Sequence, residues 1–310
     1  MSLPTTAENA IGLDEALPPI DWAVAPEGTR AYGFAAPSGE LASWDLGDPA
    51  GDRVVMVPGI TGSKEDFAYL APILAGQGYF VQSYDLPGQY ESAAAGPAGS
   101  EGWSYDLFFD DMVAFLEADG RPAHLLGFSF AGIVAQLIAV RRPELVRSLT
   151  LLATPPATGQ VFRRVRSVGW LARLPFFTKR FIGGVMIWNV RTNFSKVTPE
   201  RLVFANARLA HTRRESVDGI VGLMMATPDV RAELRASALP KLVVCGERDL
   251  WSVERYRAFA QEIGASAAVY ATGHSPCETT PHQLALDMVQ LFQRAEPLAQ
   301  PQPEEVGEAE

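Results

Sequence analysis

Apolar and polar positions along the chain follow two alternating periods. Short apolar runs typical of buried strands occur in "DRVVMVPG", "YFVQSYDLPG", "AHLLGF" and "VRSLTLLATP". The stretches "EDFAYLAPILAGQG", "SYDLFFDDMVAFLEADG" and "AGIVAQLIAV" repeat apolar residues every three or four positions, which predicts helices. Two further strands, "RAYGFAAPSG" and "ELASWDLG", open the series. Strands that alternate with helices predict a mainly parallel sheet covered on both faces.

This alternation stops after Pro155 and resumes near Pro240. The stretch between them is mostly helical in pattern, with no convincing strand. After it come the strand "KLVVCGE", the helix "VERYRAFAQEIG", the strand "SAAVYATG" and the helix "TPHQLALDMVQLFQRA". An interruption after one strand, followed by the same rhythm, predicts a helical cap inserted into an α/β core. The predicted domains are an N-terminal extension of little periodicity (1–29), the core (30–155 and 240–296), the cap (156–239) and a disordered Pro- and Glu-rich tail (297–310).

Composition narrows the function classes. The 310 residues are 47% hydrophobic, which allows a sizeable core, and the net charge of -10 argues against nucleic-acid binding. No window approaches the roughly 18 apolar residues of a membrane span, and no signal-peptide pattern opens the chain. Cys245 and Cys277 cannot form a disulfide framework and lack metal-type spacing. We therefore expect a cytoplasmic protein without a transmembrane segment.

The charge is unevenly distributed. Residues 163–214 contain about a dozen Lys and Arg and very few acidic residues. One interpretation is a solvated, arginine-rich helical surface. The other is a cap face that binds an anionic substrate, an acyl carrier or a membrane surface.

Ser129 lies where the strand "AHLLGF" turns into the helix "AGIVAQLIAV". A serine at this position either caps the helix or acts as a nucleophile. A nucleophilic serine needs a base, usually a histidine that a carboxylate orients. Asp249 follows the strand "KLVVCGE" and His274 follows "SAAVYATG". Because the carboxyl ends of parallel strands form ligand sites, we expect Ser129, His274 and Asp249 to meet there.

Other residues of the same types are rivals for these roles. His124, His211 and His282 are the alternative bases, and Glu247 and Asp85 the alternative acids. His124 starts a strand, which favours a structural role. Asp85 is more typical of a structural loop residue than of the acid.

Four short segments carry a family resemblance. "GFSFAG" resembles the nucleophile elbow of the α/β-hydrolase fold family, "GERDLW" its acid loop, "GHSPCETTP" its histidine loop and "DLPGQYES" its D-x-x-G-x-G-x-S segment. The order Ser129, Asp249, His274 also matches that architecture. Over residues 30–295 the chain resembles the cap-bearing, esterase-like members. The resemblance implies an α/β-hydrolase fold, with a mainly parallel eight-stranded sheet, helices on both faces and a helical cap insertion.

The same resemblance implies an oxyanion hole. Its donors are the backbone N–H groups of Phe130, after the nucleophile, and Ile60, after the pair Pro58 and Gly59. The pair replaces the family's usual His-Gly. Ala131 stands where the elbow usually has its second glycine, with Gly132 beside it. The implied chemistry requires no metal or organic cofactor.

The nucleophile type indicates the reaction. Dehalogenases and epoxide hydrolases of this fold use an aspartate, so Ser129 favours acyl transfer. We predict a serine hydrolase that cleaves a carboxylic ester through an acyl-enzyme. The alternatives are a thioesterase, a carbon–carbon bond hydrolase, a cofactor-free haloperoxidase-like enzyme and, in another class, a non-catalytic binding protein. Aromatic and Met residues in the cap favour a small substrate with an apolar acyl or aromatic group: Trp170, Phe176, Phe177, Phe181, Met186, Trp188, Phe194, Met224 and Met225.

Overall fold

A computed structural model describes residues 6–164, 179–191 and 197–295 of the chain. Within these ranges the strands form one eight-stranded sheet in the order β1-β2-β4-β3-β5-β6-β7-β8. β1 and β2 pair antiparallel, as do β2 and β4, whereas the remaining neighbours are parallel. The strands are β1 (Arg30–Ala36), β2 (Gly39–Leu46), β3 (Arg53–Val57), β4 (Phe80–Tyr84), β5 (Ala123–Phe128), β6 (Val146–Leu152), β7 (Lys241–Gly246) and β8 (Ser266–Tyr270).

Helices cover both faces of this sheet. Along β3 the side chains alternate between two cores, with Val55 and Val57 in one and Val54 and Met56 in the other. The helices are α1 (Ala7–Glu15), α2 (Leu70–Ala75), α3 (Tyr105–Glu117), α4 (Phe130–Arg141), α5 (Lys179–Arg191), α6 (Pro199–His211), α7 (Arg214–Met224), α8 (Arg231–Ala236), α9 (Val253–Ile263), α10 (Pro276–Thr279) and α11 (Pro281–Phe292). α3, α4 and α9 pack in the first core, and α2 and α11 in the second. The predicted mainly parallel eight-stranded sheet with helices on both faces is confirmed.

Four described helices, α5 to α8, lie between β6 and β7, in the stretch where a cap insertion is predicted. α7 and the turn before it rest on the segment that follows β4. The Arg213 N–H donates to Gly88 O at 2.8 Å, and Ser216 Oγ donates to Pro87 O at 3.0 Å. The insertion therefore contacts the edge of the sheet where the β4 carboxyl end lies. The domain boundaries stay predictions, and the tail (297–310) lies outside the described residues.

Two elements differ from the sequence prediction. The single helix expected over "EDFAYLAPILAGQG" is a 3₁₀ turn, Lys64–Phe67, followed by α2. Pro72 explains the break, because proline has no N–H to donate and fits only the first turn of a helix. In α2 it is the third residue, where no intrahelical N–H bond is needed.

The second difference is α1, a helix in a segment of little periodicity. Its last turn carries Asp14, whose carboxylate accepts the N–H groups of His282 (2.8 Å) and Gln283 (3.2 Å) and His282 Nδ1 (2.9 Å). These N–H groups lie in the first turn of α11, where a negative charge is stabilising. Helix α1 is thus fixed by a partner far along the chain. Among the described helices, none is long and apolar enough to span a membrane.

Candidate active site

Ser129 occupies the turn between β5 and α4 in a strained backbone conformation. Its φ of 52° and ψ of -115° are rare for a residue with a side chain. Two backbone hydrogen bonds hold the turn, from Ser129 N–H to Leu152 O (2.8 Å) and from Gly132 N–H to Ser129 O (3.1 Å). The residue is 6% exposed. The turn aims the hydroxyl at a cavity beyond the carboxyl ends of the strands.

Two glycines permit this tight turn. A Cβ atom at Gly127 would lie 2.5 Å from the Gly132 Cα, and one at Gly132 would overlap with Thr154 Oγ1. The close approach of α4 to the end of β6 therefore depends on Gly132. Ala131, which stands where the family has glycine, is accommodated as a fully buried residue.

We expect Gly132→Ala to destabilise the protein by about 2–3 kcal/mol, because overpacking forces backbone and side-chain shifts. Thermal or urea unfolding measures this effect. Gly102→Ala is the matched control, since a Cβ there meets no atom within 4 Å. Equal stability of the two variants would contradict the packing role of Gly132.

His274 and Asp249 form a hydrogen-bonded chain with this serine. His274 Nε2 lies 3.3 Å from Ser129 Oγ, and His274 Nδ1 lies 2.7 Å from Asp249 Oδ1. The Asp249 side chain is fully buried, whereas the His274 side chain is 30% exposed. Burial disfavours the imidazolium, but the charge of Asp249, its hydrogen bond and the charge of Glu278 outweigh burial and raise the pKa of His274 above 6.5. The imidazole is therefore oriented by the carboxylate and has increased basicity.

Tyr256 also holds Asp249, a contact that no motif in the sequence predicts. Its hydroxyl donates to Asp249 Oδ2 at 3.0 Å from the buried face of α9. The Leu250 N–H donates to the other oxygen, Oδ1, which also faces His274. Both oxygens of the carboxylate are thus satisfied. The only sequence signal was the position of Tyr256 on the apolar side of a helix.

The rival bases and acids make contacts elsewhere. Burial and the charge of Arg147 lower the pKa of His124 to about 3, and its Nδ1 lies 2.8 Å from Ser148 Oγ. His211 Nδ1 lies 2.9 Å from the Ala207 carbonyl oxygen. The remaining rivals are His282, which pairs with Asp14; Asp85, which pairs with Lys64; and Glu247, which is exposed.

The loop at 58–63 passes directly over Ser129. A Cβ at Gly59 would lie 3.0 Å from the Ser129 Cβ, and Ile60 lines the same cavity as Ser129. Thr61 has a positive φ of 58°, and its N–H donates to Gln89 Oε1 at 2.6 Å. Gln89 is fully buried and was not singled out by the sequence analysis. It holds the loop that carries Ile60 over the serine.

Phe130, the other expected donor, is the first residue of α4. Its N–H therefore has no carbonyl partner within the helix. The positive end of the helix dipole lies at the same point. Both features suit an N–H group that stabilises a negative charge beside Ser129.

A cavity of about 280 Å³ connects these groups. Its charged side consists of Asp66, Arg201, Arg208 and Glu278. Its remaining walls are mainly apolar: Ile60, Phe128, Phe162, Met186, Val197, Leu202, Ala205, Met224, Leu250 and Trp251. The lining thus has an apolar part and a charged part, with Ser129 and His274 exposed to both.

Only some of the expected cap residues reach the cavity. Met186 and Met224 line it, and Met225 packs against the core. Phe181 and Trp188 are partly exposed at the surface. Four expected residues lie outside the described residues: Trp170, Phe176, Phe177 and Phe194. In the part of the chain that the structure describes, no cluster of His, Cys, Asp or Glu could hold a metal ion.

The sheet order and the serine elbow define the class as an α/β hydrolase fold. The Alpha/beta hydrolase family model matches residues 54–287, three quarters of the chain, and the protein belongs to this family. A hydrolase from Pseudomonas aeruginosa PA01 superimposes with a TM-score of 0.68 at 20% identity, over 86% of this chain and 99% of that one. Membership in this family supports a hydrolase activity.

The curated relatives align either over a shorter part of this chain or at a lower sequence identity. The dihydrolipoyllysine-residue acetyltransferase component of the acetoin cleaving system of Pseudomonas putida is 34% identical over 118 residues, 37% of this chain and 30% of the relative. A 2-succinyl-6-hydroxy-2,4-cyclohexadiene-1-carboxylate synthase of Salmonella paratyphi B is 24% identical over 259 residues, 79% of this chain and 96% of that protein. For three of the curated relatives, among them the acetyltransferase component, this chain spans only 19% to 30% of the relative's length.

Proposed function

We propose that the protein is a serine hydrolase that cleaves a carboxylic ester through a covalent acyl-enzyme. Ser129 is the nucleophile, His274 the general base and acid, and Asp249 the group that orients His274. The observation that carries this proposal is the continuous chain from Asp249 Oδ1 through His274 to Ser129 Oγ, with distances of 2.7 and 3.3 Å. The family supports hydrolysis in general, and the serine at the elbow supports acyl transfer in particular.

The reaction proceeds in two halves. His274 Nε2 takes the hydroxyl proton while Ser129 Oγ attacks the carbonyl carbon, and the N–H groups of Ile60 and Phe130 stabilise the oxyanion. His274 then gives the proton to the alcohol oxygen, which leaves, and the acyl group stays on Ser129. Water next loses a proton to His274 and attacks the acyl carbon. His274 returns the proton to Ser129 Oγ, and the acid is released.

The cavity lining favours a small substrate with an apolar acyl or aromatic part. Apolar side chains from the core and from α5, α6 and α7 surround the nucleophile. The described cap helices therefore select what reaches Ser129. Of the basic stretch at 163–214, Arg201 and Arg208 are buried among carboxylates rather than spread over a solvated face.

A fluorophosphonate probe tests the proposal. We expect attack of Ser129 Oγ on phosphorus with loss of fluoride, so that one probe adds to each folded chain. Mass spectrometry of the peptide locates the modified residue. If the folded protein is not labelled at Ser129, the proposal is wrong, and a protein that is also inactive on every ester is a binding protein on a hydrolase fold.

A substrate panel identifies the bond that is cleaved. p-Nitrophenyl esters of increasing acyl length are compared with acyl-CoA thioesters, a vinylogous diketone and a peroxide-dependent halogenation assay. We expect the highest kcat/KM for an ester. A preference for a thioester, for carbon–carbon cleavage or for perhydrolysis would replace the ester while retaining the nucleophile.

The raised pKa of His274 predicts the acid limb of the pH profile. His274 must be neutral to accept the Ser129 proton, so kcat/KM falls as pH drops below the pKa of the free enzyme. Because that pKa lies above 6.5, we expect the limb to have its midpoint above 6.5 and a tenfold loss per pH unit below it. A midpoint below 6.5 would contradict the basicity derived from Asp249 and Glu278.

A further inference from the structure

Arg201 is a buried cation that joins the cap to two loops of the core. It lies on α6, and its side chain is only 7% exposed. Its Nε and Nη2 donate to the two oxygens of Glu278 at 2.9 and 2.6 Å, and Nη2 also donates to Asp66 Oδ1 at 2.7 Å. The guanidinium carbon lies 4.4 Å from the ring centroid of Trp22 in the N-terminal segment. One cap side chain therefore contacts three separate parts of the chain.

Both carboxylates belong to segments that carry groups of the active site. Glu278 lies on α10, four residues after His274. Asp66 lies in the 3₁₀ turn that follows the loop of Ile60, and its Oδ2 accepts the Ser63 N–H. Arg208 lies about two turns further along α6. It contacts Asp66 and donates to Ser63 Oγ at 3.1 Å. The two arginines thus connect the histidine side of the site with the oxyanion side.

Geometry and charge both favour a role beyond packing. A two-pronged guanidinium–carboxylate contact fixes distance and orientation, which a single-point contact does not. The two arginines and the two carboxylates, Arg201, Arg208, Asp66 and Glu278, all line the cavity that contains Ser129 and His274. A small displacement of His274 would lengthen the 3.3 Å contact to Ser129, and a misplacement of about 1 Å can reduce turnover about 100-fold.

We propose that Arg201 is a positioning residue that holds the His274 loop against the Ile60 loop through Glu278 and Asp66. This role rests on the proposed serine hydrolase function. Because the cation comes from α6, the cap contributes to the order of the active site and not only to its lining.

The charges around His274 make the role measurable. Asp249 faces its Nδ1, Glu278 lies on the following helix, and Arg201 neutralises Glu278. Asp66 and Arg208 complete the charged side of the cavity. The charge of Glu278 contributes to the raised pKa of His274. Removal of the cation therefore strengthens the negative field at His274, whereas neutralisation of Glu278 weakens it.

The experiment compares Arg201→Gln, Glu278→Gln and the double variant for hydrolysis of the best p-nitrophenyl ester. We expect Arg201→Gln to lower kcat roughly 10–100-fold and to move the acid limb to higher pH. Glu278→Gln moves the limb to lower pH. In the Glu278→Gln background, we expect Arg201→Gln to lower kcat by a clearly smaller factor, because the two residues act through one contact.

Arg214→Gln is the matched control. Arg214 pairs with Asp218 on α7 and is 44% exposed, so its loss leaves kcat and the acid limb unchanged. Thermal unfolding is measured for every variant. If Arg201→Gln does not fold, Arg201→Lys serves instead, since lysine keeps the charge but cannot contact both oxygens of Glu278 in the same way. The proposal is overturned if the tested Arg201 variant has the kcat and acid limb of the wild type. It is also overturned if that variant lowers kcat by the same factor with Glu278 present and with Glu278→Gln.

The rate of fluorophosphonate labelling distinguishes failure of the proposed hydrolase function from failure of the positioning role of Arg201. If the wild-type protein is neither labelled at Ser129 nor active on any ester, the proposed function fails. If the wild type is labelled and the Arg201 variant reacts at the same rate at every pH, only the positioning role fails.

Discussion

Ser129→Ala is expected to lower kcat for ester hydrolysis by roughly 10⁴–10⁶-fold. The substitution removes Oγ, the atom that forms the acyl bond in the proposed reaction, and leaves His274 Nε2 without its 3.3 Å partner. The backbone turn remains, because its hydrogen bonds to Leu152 and Gly132 do not use the side chain. Steady-state kinetics with p-nitrophenyl esters, supported by loss of fluorophosphonate labelling, measures the effect.

Ser252→Ala is the control for this variant. Ser252 precedes α9, and its side chain makes no capping hydrogen bond. We expect activity close to that of the wild type. An active Ser129→Ala protein would show that another residue forms the covalent intermediate, or that none is formed.

Ser129→Gly separates the chemistry from the backbone strain. Glycine adopts a φ of 52° without the steric penalty of a side chain, and strain of this kind is worth about 1–3 kcal/mol. We therefore expect Ser129→Gly to be inactive but to unfold at a higher temperature than Ser129→Ala. An equal unfolding temperature would indicate that the turn stores little strain.

Asp249→Asn is expected to lower kcat by about 10⁴-fold. The amide retains the shape of the carboxylate, but it cannot stabilise the imidazolium that forms when His274 takes the serine proton in the proposed reaction. Because Tyr256 and the Leu250 N–H both donate to this side chain, the loss of the negative charge also disturbs their hydrogen bonds. Kinetics at a pH well above the acid limb measure the effect.

Glu247→Gln is the control for the acid. Glu247 is an exposed residue two positions earlier in the same loop. We expect its neutralisation to change kcat by less than about twofold, since screened surface charges contribute little. A large loss in Glu247→Gln with full activity in Asp249→Asn would exchange the roles of the two carboxylates.

Local patterns were sufficient to predict the main elements and the proximity of three candidate side chains. Each of Ser129, Asp249 and His274 follows an apolar run that is short enough to be a strand. Parallel strands carry the residues after them to one edge of the sheet, so position along the chain implied proximity in space. The structure places these three side chains in one hydrogen-bonded chain.

Contacts between distant, individually ordinary residues were not predictable in this way. Gln89 lies 28 residues from Thr61, and Arg201 lies 77 residues from Glu278 and 135 from Asp66. In sequence, Arg201 was one of about a dozen cations in a basic stretch, and nothing distinguished it from those on a solvated surface. The break before α2 was the exception, since Pro72 was visible in sequence.

By itself, the sequence of this protein determined the alternation of strands and helices, the place of the insertion and the residue types at each strand end. These properties depend on hydrophobic period and on turn residues, which act over a few neighbouring positions. Only the tertiary structure decided which glycines allow the elbow, which hydroxyl completes the hydrogen bonds of Asp249, and which arginines line the cavity. Each of these depends on distances between chain segments that packing, not local propensity, brings together.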